Sequence, residues 1–270
     1  MHVCNAGTFS ADASPLFGAS QGLDGVPALL MKQITLALNC LLIVSSDFVA
    51  LIDTGFGTKS RPSPPDSWKG PARGITGALA DWGVSPESVD LVVNTHLHHD
   101  HAGGNTILQS TGLVLATFPR ARYVIQRQEW LAAAGPDPLA LYEANDMLPL
   151  ESGRIDLVDG EMTPAPGIHC VLAPGHTPGH QYVVVERGAD DRPVYFLGDI
   201  APLVGHIETP SRLSAIDFDI PAALATKKRV LREAADRDAI IVLSHDERIG
   251  RAEGRGDEFL FRDCDPAELS

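Results

Sequence analysis

The sequence is poor in cysteine, in long apolar runs and in positive charge. Its four cysteines are widely separated and form no CxxC pair, which argues against a domain held by disulfides and favours reduced thiols. No run of about 18 apolar residues occurs, and the N-terminal stretch MHVCNAGTFSADASPLFG lacks the basic and apolar regions of a signal peptide. We therefore expect a soluble, cytoplasmic protein.

The charge balance is strongly acidic. Lysine and arginine together number 21, against 35 aspartates and glutamates, and the net charge is -14. Because this field repels phosphate groups, we expect neither nucleic acid nor a membrane as a partner, but a small-molecule substrate. The composition is otherwise that of a globular protein, since 44% of the 270 residues are hydrophobic and can form a large core.

Short apolar runs rich in β-branched residues alternate with helical patterns, which predicts an α/β fold with buried sheets. Strands are predicted at residues 34–44, 48–52, 89–94, 121–126, 169–173, 181–186, 193–198 and 239–244. Helices are predicted at residues 72–83, 128–135 and 221–238, from Ser85 onward and from Gly104 onward. The segments 55–74 and 135–153 are rich in proline and glycine and predict long surface loops.

A metal-binding or acidic side chain follows one predicted strand after another. The residues in these positions are Asp53, His96, His176, Asp199 and His245. In layered α/β folds the carboxyl ends of strands share an edge, and ligand sites form there. We therefore expect these five side chains to converge on one site.

The stretch NTHLHHDHAGGN, residues 94–105, concentrates histidines around one aspartate. His96 and His98 are two residues apart and can face the same way in an extended loop, whereas Asp100 and His101 can turn toward a neighbouring position. This spacing suits two cations held side by side. Imidazole and carboxylate groups bind zinc, and they also bind iron and manganese, so the pattern leaves the metal open.

The two glycines that follow the histidines have an expected role of their own. Gly103 and Gly104 should let the backbone pass close to the site and begin a helix whose N-terminus favours an anion. The alternative interpretation of the whole stretch is a histidine cluster on the surface that binds no metal.

Five motifs stand along the chain in a fixed order: LIDTG, THLHHDHAGG, APGHTPGH, FLGDI and LSHDE. In this order they resemble the metallo-β-lactamase superfamily of binuclear metallohydrolases, over roughly residues 34–250. The resemblance implies an α/β fold of the αββα type, a sandwich of two mixed β-sheets flanked by helices. It also implies a single hydrolase domain over residues 1–270.

The resemblance further implies the ligands of two divalent metal ions. Seven side chains would bind them: His96, His98 and His176 on one metal, Asp100, His101 and His245 on the other, and Asp199 on both. Asp53 resembles the family's aspartate that orients the histidine loop, in line with the need to fix ligand imidazoles by outer hydrogen bonds. Zinc is the expected metal, with iron or manganese as alternatives.

Two adjacent metal ions lower the pKa of a shared water, so the expected nucleophile is a metal-bridged hydroxide that attacks a carbonyl. Asp100 is a candidate to carry the proton to the leaving group, and His206 is a candidate proton carrier or substrate contact. Residues 198–231 are similar to the same region of quorum-quenching lactonases and related organophosphate hydrolases. The expected reaction is therefore hydrolysis of a lactone or a carboxylic ester.

Other reactions of the same family stay open. Asp199 argues against β-lactam hydrolysis, because the β-lactamases of the superfamily lack a bridging aspartate in this motif. Lactonases, glyoxalase II-type thioesterases and phosphodiesterases carry it, so a thioesterase, a phosphodiesterase or a phosphotriesterase is the alternative. The acidic balance counts against a nuclease. A flavodiiron enzyme would need an added flavin domain, and an inactive binding protein would not need seven ligands.

The remaining histidines have structural roles or none. His99 is expected to point away from the metals, behind the ligands or toward solvent, and His180 to make a structural hydrogen bond. His2 and His169 have no predicted role.

Substrate specificity is expected in the loops and near the N-terminus. The segments concerned are residues 9–18, 55–74, 135–153 and 201–219. The apolar stretch VPALLMKQITLAL, residues 26–38, is a candidate contact in a homodimer.

Overall fold

The computed structural model describes residues 1–12, 33–59, 73–135, 141–147, 150, 154–188 and 191–269. The chain divides into two compact units, the first made of Met1–Phe9 and Ala37–Gly160 and the second of Ser10–Leu36 and Glu161–Ser270. The single domain predicted for residues 1–270 stays a prediction. Within the described ranges, no helix has both the length and the hydropathy needed to span a membrane.

The strands of the described chain are numbered β1 to β15. Their bounds are His2–Asp12, Gln33–Val44, Val49–Ile52, Leu91–Val93, Thr106–Leu108, Val114–Ala116, Arg122–Gln126, Ile155–Val158, Met162–Ala165, Ile168–Leu172, Gln181–Val185, Val194–Phe196, Ile240–Val242, Ile249–Arg255 and Glu258–Asp263. The helices α1 to α6 are Gly74–Ala80, His99–Ala102, Arg127–Ala133, Ala144–Met147, Val204–Glu208 and Ile220–Asp236.

A six-stranded sheet has the order β1-β2-β3-β4-β7-β8. Strands β2 and β3 pair antiparallel, whereas β3, β4, β7 and β8 run parallel to one another. All three residues of β4 are buried, which is the continuous apolar pattern of a central parallel strand. Because β3 and β4 are parallel neighbours, the loops that begin at Asp53 and Asn94 leave the same edge of the sheet.

A seven-stranded sheet in the second unit has the order β15-β14-β13-β12-β11-β10-β9. Only β12 and β13 pair parallel, and the other adjacent strands pair antiparallel. Strands β10, β12 and β13 therefore point the same way, and the chain leaves them at one edge toward His176, Asp199 and His245. Helix α6 contributes Val230 and Leu231 to the buried apolar cluster of this unit.

The predicted α/β class with two mixed sheets and helices is confirmed. All eight predicted strands are present, with bounds within two residues of the predicted ones. The helices predicted at 72–83, 128–135 and 221–238 are confirmed as α1, α3 and α6. These strands and helices can be predicted because the buried face of an element requires apolar residues at a regular spacing along its whole length.

Two helix predictions are wrong. The segment from Ser85 forms only a 3-10 turn, Pro86–Ser88, because Val89 takes an extended conformation and leads into β4. The helix expected from Gly104 begins earlier, at His99, and ends at Ala102. Gly103–Asn105 then form a 3-10 turn, and the β-branched residues after it enter strand β5.

Several predicted segments fall partly outside the described residues. These are the candidate dimer contact at 26–38, the N-terminal segment 9–18 and the loops 55–74 and 135–153. The expectations for them stay predictions.

Helix α6 offers a test of local stability. The side chain of Asp219 caps it by accepting a hydrogen bond from the backbone N–H of Ala222 at 2.9 Å. We expect Asp219→Ala to lower the free energy of unfolding by about 1 kcal/mol, because the N–H loses its partner. Urea unfolding followed by circular dichroism measures this change. Asp236→Ala, at the opposite end of α6, is the control and should not destabilise the helix; equal losses in both variants would contradict the cap.

Candidate metal centre

The first unit brings together four of the predicted ligands in the segment that follows β4. The side chains of His96, His98 and His101 are buried, and Asp100 is partly buried. The Nε2 atom of His96 lies 3.0 Å from the Nδ1 atom of His98. Two nitrogens bound to one tetrahedral zinc ion lie about 3.3 Å apart, since each Zn–N bond is about 2.0–2.1 Å. The spacing of these two nitrogens fits a shared cation.

The carboxylate of Asp53 is the hydrogen-bond hub of this segment. Its Oδ1 accepts the backbone N–H of Thr95 at 2.7 Å, and its Oδ2 lies 2.7 Å from the Thr95 hydroxyl and 2.8 Å from Nδ1 of His101. An ionised carboxylate only accepts, so the His101 Nδ1 must carry the proton. The lone pair of His101 Nε2 is then left on the side where a metal would bind.

The same reasoning fixes the tautomer of His96. The Thr95 hydroxyl donates to Asp53, so its oxygen accepts from Nδ1 of His96, 3.1 Å away. The lone pair of His96 is therefore on Nε2, the atom that faces His98. One buried carboxylate thus sets the donor atoms of two predicted ligands, as outer hydrogen bonds do in metal sites.

The two glycines after the histidines permit a close approach of two loops. A Cβ atom on Gly103 would lie 2.2 Å from the carbonyl oxygen of Phe56, and one on Gly104 would lie 2.2 Å from that of Thr54. The backbone N–H of Thr54 donates to the carbonyl of His101 at 2.8 Å, and that of Gly104 donates to the carbonyl of Gly55 at 3.0 Å. The absence of a side chain at both glycines therefore allows the histidine segment to pack directly against the loop that carries Asp53.

Asp53 also has an unusual backbone. Its φ angle is 58°, in the left-handed region that non-glycine residues avoid. Its backbone N–H donates to the carbonyl of Val93 at 2.9 Å, and its side chain is fully engaged with Thr95 and His101. Such local strain persists where the surroundings hold it, and it collects at functional sites.

The second unit brings together the other three predicted ligands. The Oδ2 atom of Asp199 lies 3.4 Å from Nε2 of His176, and its Oδ1 atom lies 3.4 Å from Nε2 of His245. Each oxygen of the carboxylate thus faces a different histidine. Ser244 donates its hydroxyl to Oδ1 at 2.9 Å, which fixes the carboxylate further. This arrangement fits a carboxylate shared by two cations.

His176 is oriented by a carboxylate that the sequence interpretation missed. Oδ1 of Asp217 lies 2.8 Å from Nδ1 of His176, so Nδ1 carries the proton and Nε2 faces Asp199. Behind this pair, burial lowers the pKa of the Lys227 ammonium to about 8, and the negative charge of Asp217 opposes the shift. Lys227 donates to the carbonyl of Arg212.

The other predicted histidines have mixed outcomes. His180 makes the predicted structural hydrogen bond, since its Nε2 accepts the backbone N–H of Asp199 at 3.0 Å. His99 is not solvent-facing, because its side chain is buried and its Nδ1 contacts the carboxylate of Asp146. His206 is buried on the one-turn helix α5. Its role as a proton carrier or substrate contact stays a prediction.

Two further supports of the histidine segment had no signal in the sequence. Glu129 is buried at the start of α3, where it accepts the backbone N–H of Leu97 at 2.9 Å and the hydroxyl of Tyr142 at 2.9 Å. The ring of Tyr142 lies 5.1 Å from that of His98, centroid to centroid. A buried acid with a hydrogen-bond partner far along the chain leaves no spacing pattern, so only the folded structure reveals it.

Asp53→Asn tests the hub. An amide presents N–H groups where the carboxylate only accepts, so His101 and Thr95 lose their charged acceptor. We expect zinc affinity to fall between about 10-fold and 100-fold, as for other outer-shell partners. Competition with a chromophoric chelator measures it. Asp81→Asn, which breaks the exposed Arg73–Asp81 pair, is the control and should bind zinc as the wild type does; unchanged affinity in Asp53→Asn would contradict the assigned role.

Comparison with known proteins agrees with the family that the five motifs resemble. A family model described as the metallo-beta-lactamase superfamily matches residues 35–245. An N-acyl homoserine lactonase from a Bacillus species is 28% identical over 172 residues, covering 64% of this chain and 62% of that relative. The N-acyl homoserine lactonase AttM of Agrobacterium fabrum is 28% identical over 186 residues, covering 64% of each protein. The chain thus spans less than two thirds of the length of these relatives.

Solved structures share the fold at low sequence identity. A probable metal-dependent hydrolase from Staphylococcus aureus superposes with a TM-score of 0.80 at 23% identity, covering 97% of this chain and 96% of the other. AidC, a dizinc quorum-quenching lactonase in complex with a product, superposes with a TM-score of 0.75 at 20% identity, covering 97% and 92%. Because the family model matches well over half of the sequence, the chain belongs to the metallo-beta-lactamase superfamily.

Proposed function

We propose that the protein is a metal-dependent hydrolase that opens a lactone or carboxylic ester, as quorum-quenching lactonases do. One observation carries the proposal: the two oxygens of Asp199 each lie 3.4 Å from the Nε2 atom of a different histidine. A carboxylate in this position suits a pair of cations, and in this family it favours ester, lactone and phosphodiester chemistry over β-lactam hydrolysis. The N-acyl homoserine lactonase relatives support the choice of lactone.

The proposed ligand set is the one that the motifs imply. His96, His98 and His176 would hold one cation, Asp100, His101 and His245 the other, and Asp199 both. The donor set fits divalent cations, because the Nε2 atoms of His96, His101 and His176 carry lone pairs and the carboxylates add negative charge. Zinc is proposed, since imidazole-rich sites suit it, with iron and manganese as alternatives. When bound, two such cations supply a water of lowered pKa and polarise a carbonyl.

The side chains around these ligands have proposed tasks of their own. Asp53 and Asp217 hold His101 and His176 in the tautomer that binds a cation. Asp100 is 11% exposed, and we propose that its carboxylate carries the proton to the leaving alkoxide. His206 is proposed as a second proton carrier or a substrate contact.

We also propose a cytoplasmic location. All four cysteines are free thiols, and three of them are buried. Unpaired cysteines persist in reducing compartments, where disulfides are rare.

An activity panel tests the function. We expect purified protein loaded with zinc to hydrolyse N-acyl homoserine lactones and aryl esters faster than thioesters and bis(p-nitrophenyl) phosphate. Phosphodiester turnover without lactone or ester turnover would overturn the proposal in favour of a phosphodiesterase, and turnover restricted to thioesters would indicate a glyoxalase II-type enzyme.

Two substitutions test the ligand assignment within the same panel. We expect His96→Ala and Asp199→Ala to lose at least one cation per chain, measured by elemental analysis, and to reduce kcat/KM by about 1000-fold or more. His169→Ala is the matched control, because this histidine on β10 is outside the proposed ligand set and its ring contacts the Thr163 hydroxyl at an exposed position. If either ligand variant kept both its metal and its activity, the assignment would fail.

The segment after α5 supplies a candidate contact for the apolar part of the substrate. The backbone N–H groups of Phe218 and Asp219 donate to the carbonyls of His176 and Gly175 at 3.1 and 2.9 Å. The residues Ile216 and Phe218 are 41% and 59% exposed although their side chains are apolar. Exposed apolar side chains fixed beside a predicted ligand are typical of a binding surface, so we propose that they contact an acyl chain.

Phe218→Ala tests this contact. Burying a phenylalanine against a ligand contributes about 1.5–3 kcal/mol, so we expect KM for a ten-carbon acyl lactone to rise about 10-fold or more. For a four-carbon acyl lactone KM should change little, and kcat should be unchanged for both. Leu131→Ala on α3, which removes another exposed apolar side chain, is the control. An equal effect on both chain lengths would contradict the contact.

A further inference from the structure

We propose that the buried ion pair of Lys59 and Asp146, acting through His99, positions the histidine segment and so determines how tightly the chain holds metal. This inference rests on the proposed function. None of the three side chains belongs to the proposed ligand set, and each would be a positioning residue.

The ion pair is almost completely removed from solvent. Nζ of Lys59 lies 3.1 Å from Oδ1 of Asp146, and the two side chains are 6% and 2% exposed. The ammonium also donates to the carbonyl of Thr106 at 2.7 Å and to the carbonyl of Gly103. Two hydrogen-bonded carbonyls and the charge of the carboxylate thus surround the ammonium, and such partners offset the cost of burying a lysine.

The second oxygen of Asp146 reaches the histidine segment. Oδ2 of Asp146 accepts from Nδ1 of His99, and the backbone N–H of His99 donates to the carbonyl of Leu141 at 3.0 Å. The ring of Phe56 packs edge-on against the His99 ring, at 5.2 Å between centroids. His99 is thus held through its ring and its backbone, although it lies between two predicted ligands, His98 and Asp100.

These contacts matter because the helix that carries two predicted ligands is very short. Helix α2 has four residues, His99–Ala102, and includes Asp100 and His101. A single helical turn is not stable by itself, because forming it restricts the backbone of several residues and gains only about one hydrogen bond. Its position therefore depends on outside contacts. Asp146 fixes its first residue, and Lys59 holds the carbonyl of Gly103, just past its last.

The lysine and the aspartate also depend on each other. Burial lowers the pKa of the Lys59 ammonium, and the charge of Asp146 and its hydrogen bond act in the opposite direction. Removing one member of a buried pair leaves the other charge without compensation, whereas replacing both with neutral groups avoids that penalty. A double substitution therefore separates the loss of position from the cost of an unpaired charge.

The experiment compares Lys59→Met, Asp146→Asn and the double variant with the wild type in the full-length protein. Zinc affinity is measured by chelator competition, and kcat and KM are measured with an N-acyl homoserine lactone at saturating zinc. Thermal unfolding of the zinc-free proteins establishes that each is folded at the assay temperature. Asp156→Asn, in the exposed Arg122–Asp156 pair, is the matched control.

We expect all three variants to bind zinc about 10-fold more weakly than the wild type, with a lower kcat and an unchanged KM. A purely structural role would lower the unfolding temperature but leave the zinc affinity of the folded protein at the wild-type value, and that result overturns the inference. If the single variants do not fold, the double variant decides by the same criterion. If the wild type binds no zinc, the proposed function fails and this inference with it; if it binds zinc and turns over the lactone while the variants match Asp156→Asn, this inference alone fails.

Discussion

Hydrogen bonds between buried carboxylates and imidazoles determine most of what surrounds the predicted ligands. An imidazole can bind a cation only through a nitrogen that carries a lone pair, so its other nitrogen must hold the proton and needs an acceptor. Asp53 provides that acceptor for His101, and Asp217 provides it for His176. A buried carboxylate needs several donors of its own, and the backbone and hydroxyl of Thr95 supply them for Asp53.

This requirement explains the backbone around Asp53. Its carboxylate can reach Thr95 and His101 together only if the loop after β3 comes very close to the histidine segment. Gly103 and Gly104 make that approach possible, because a side chain at either position would collide with a carbonyl oxygen. Asp53 is the first residue of this loop, and its left-handed φ angle is part of the backbone path that brings the loop close to the histidine segment. The glycines of the motif therefore serve the packing of two loops, and the helix expected to begin at Gly104 does not form.

The sequence predicts the buried part of the fold well and marks the strand-end residues as candidate ligands, because both leave local patterns. Apolar runs mark β3, β4 and β13, and the motifs name each predicted ligand. Seven of the described strands have no predicted counterpart: β1, β5, β6, β8, β9, β14 and β15. Strand β1, for example, is short of apolar residues and buries only a few small or aromatic side chains such as Cys4 and Phe9. Partners such as Asp146 and Asp217 were missed for a different reason: they lie 47 and 41 residues from the histidines they contact. Separation of that length follows from the fold and leaves no spacing rule to read.

Two buried lysines lie beside carboxylates that orient these histidines. Acidic side chains outnumber basic ones in this chain, whose net charge is -14. Lys59 and Lys227 are nevertheless both buried close to a carboxylate that contacts a histidine. A buried ammonium and a buried carboxylate each lose hydration, and their attraction offsets part of that loss only while both are present. In the first unit Asp146 lies between Lys59 and His99. In the second unit Asp217 contacts His176 and lies near Lys227. This order lets a carboxylate stay in the interior beside an imidazole, where either charge alone would be unfavourable.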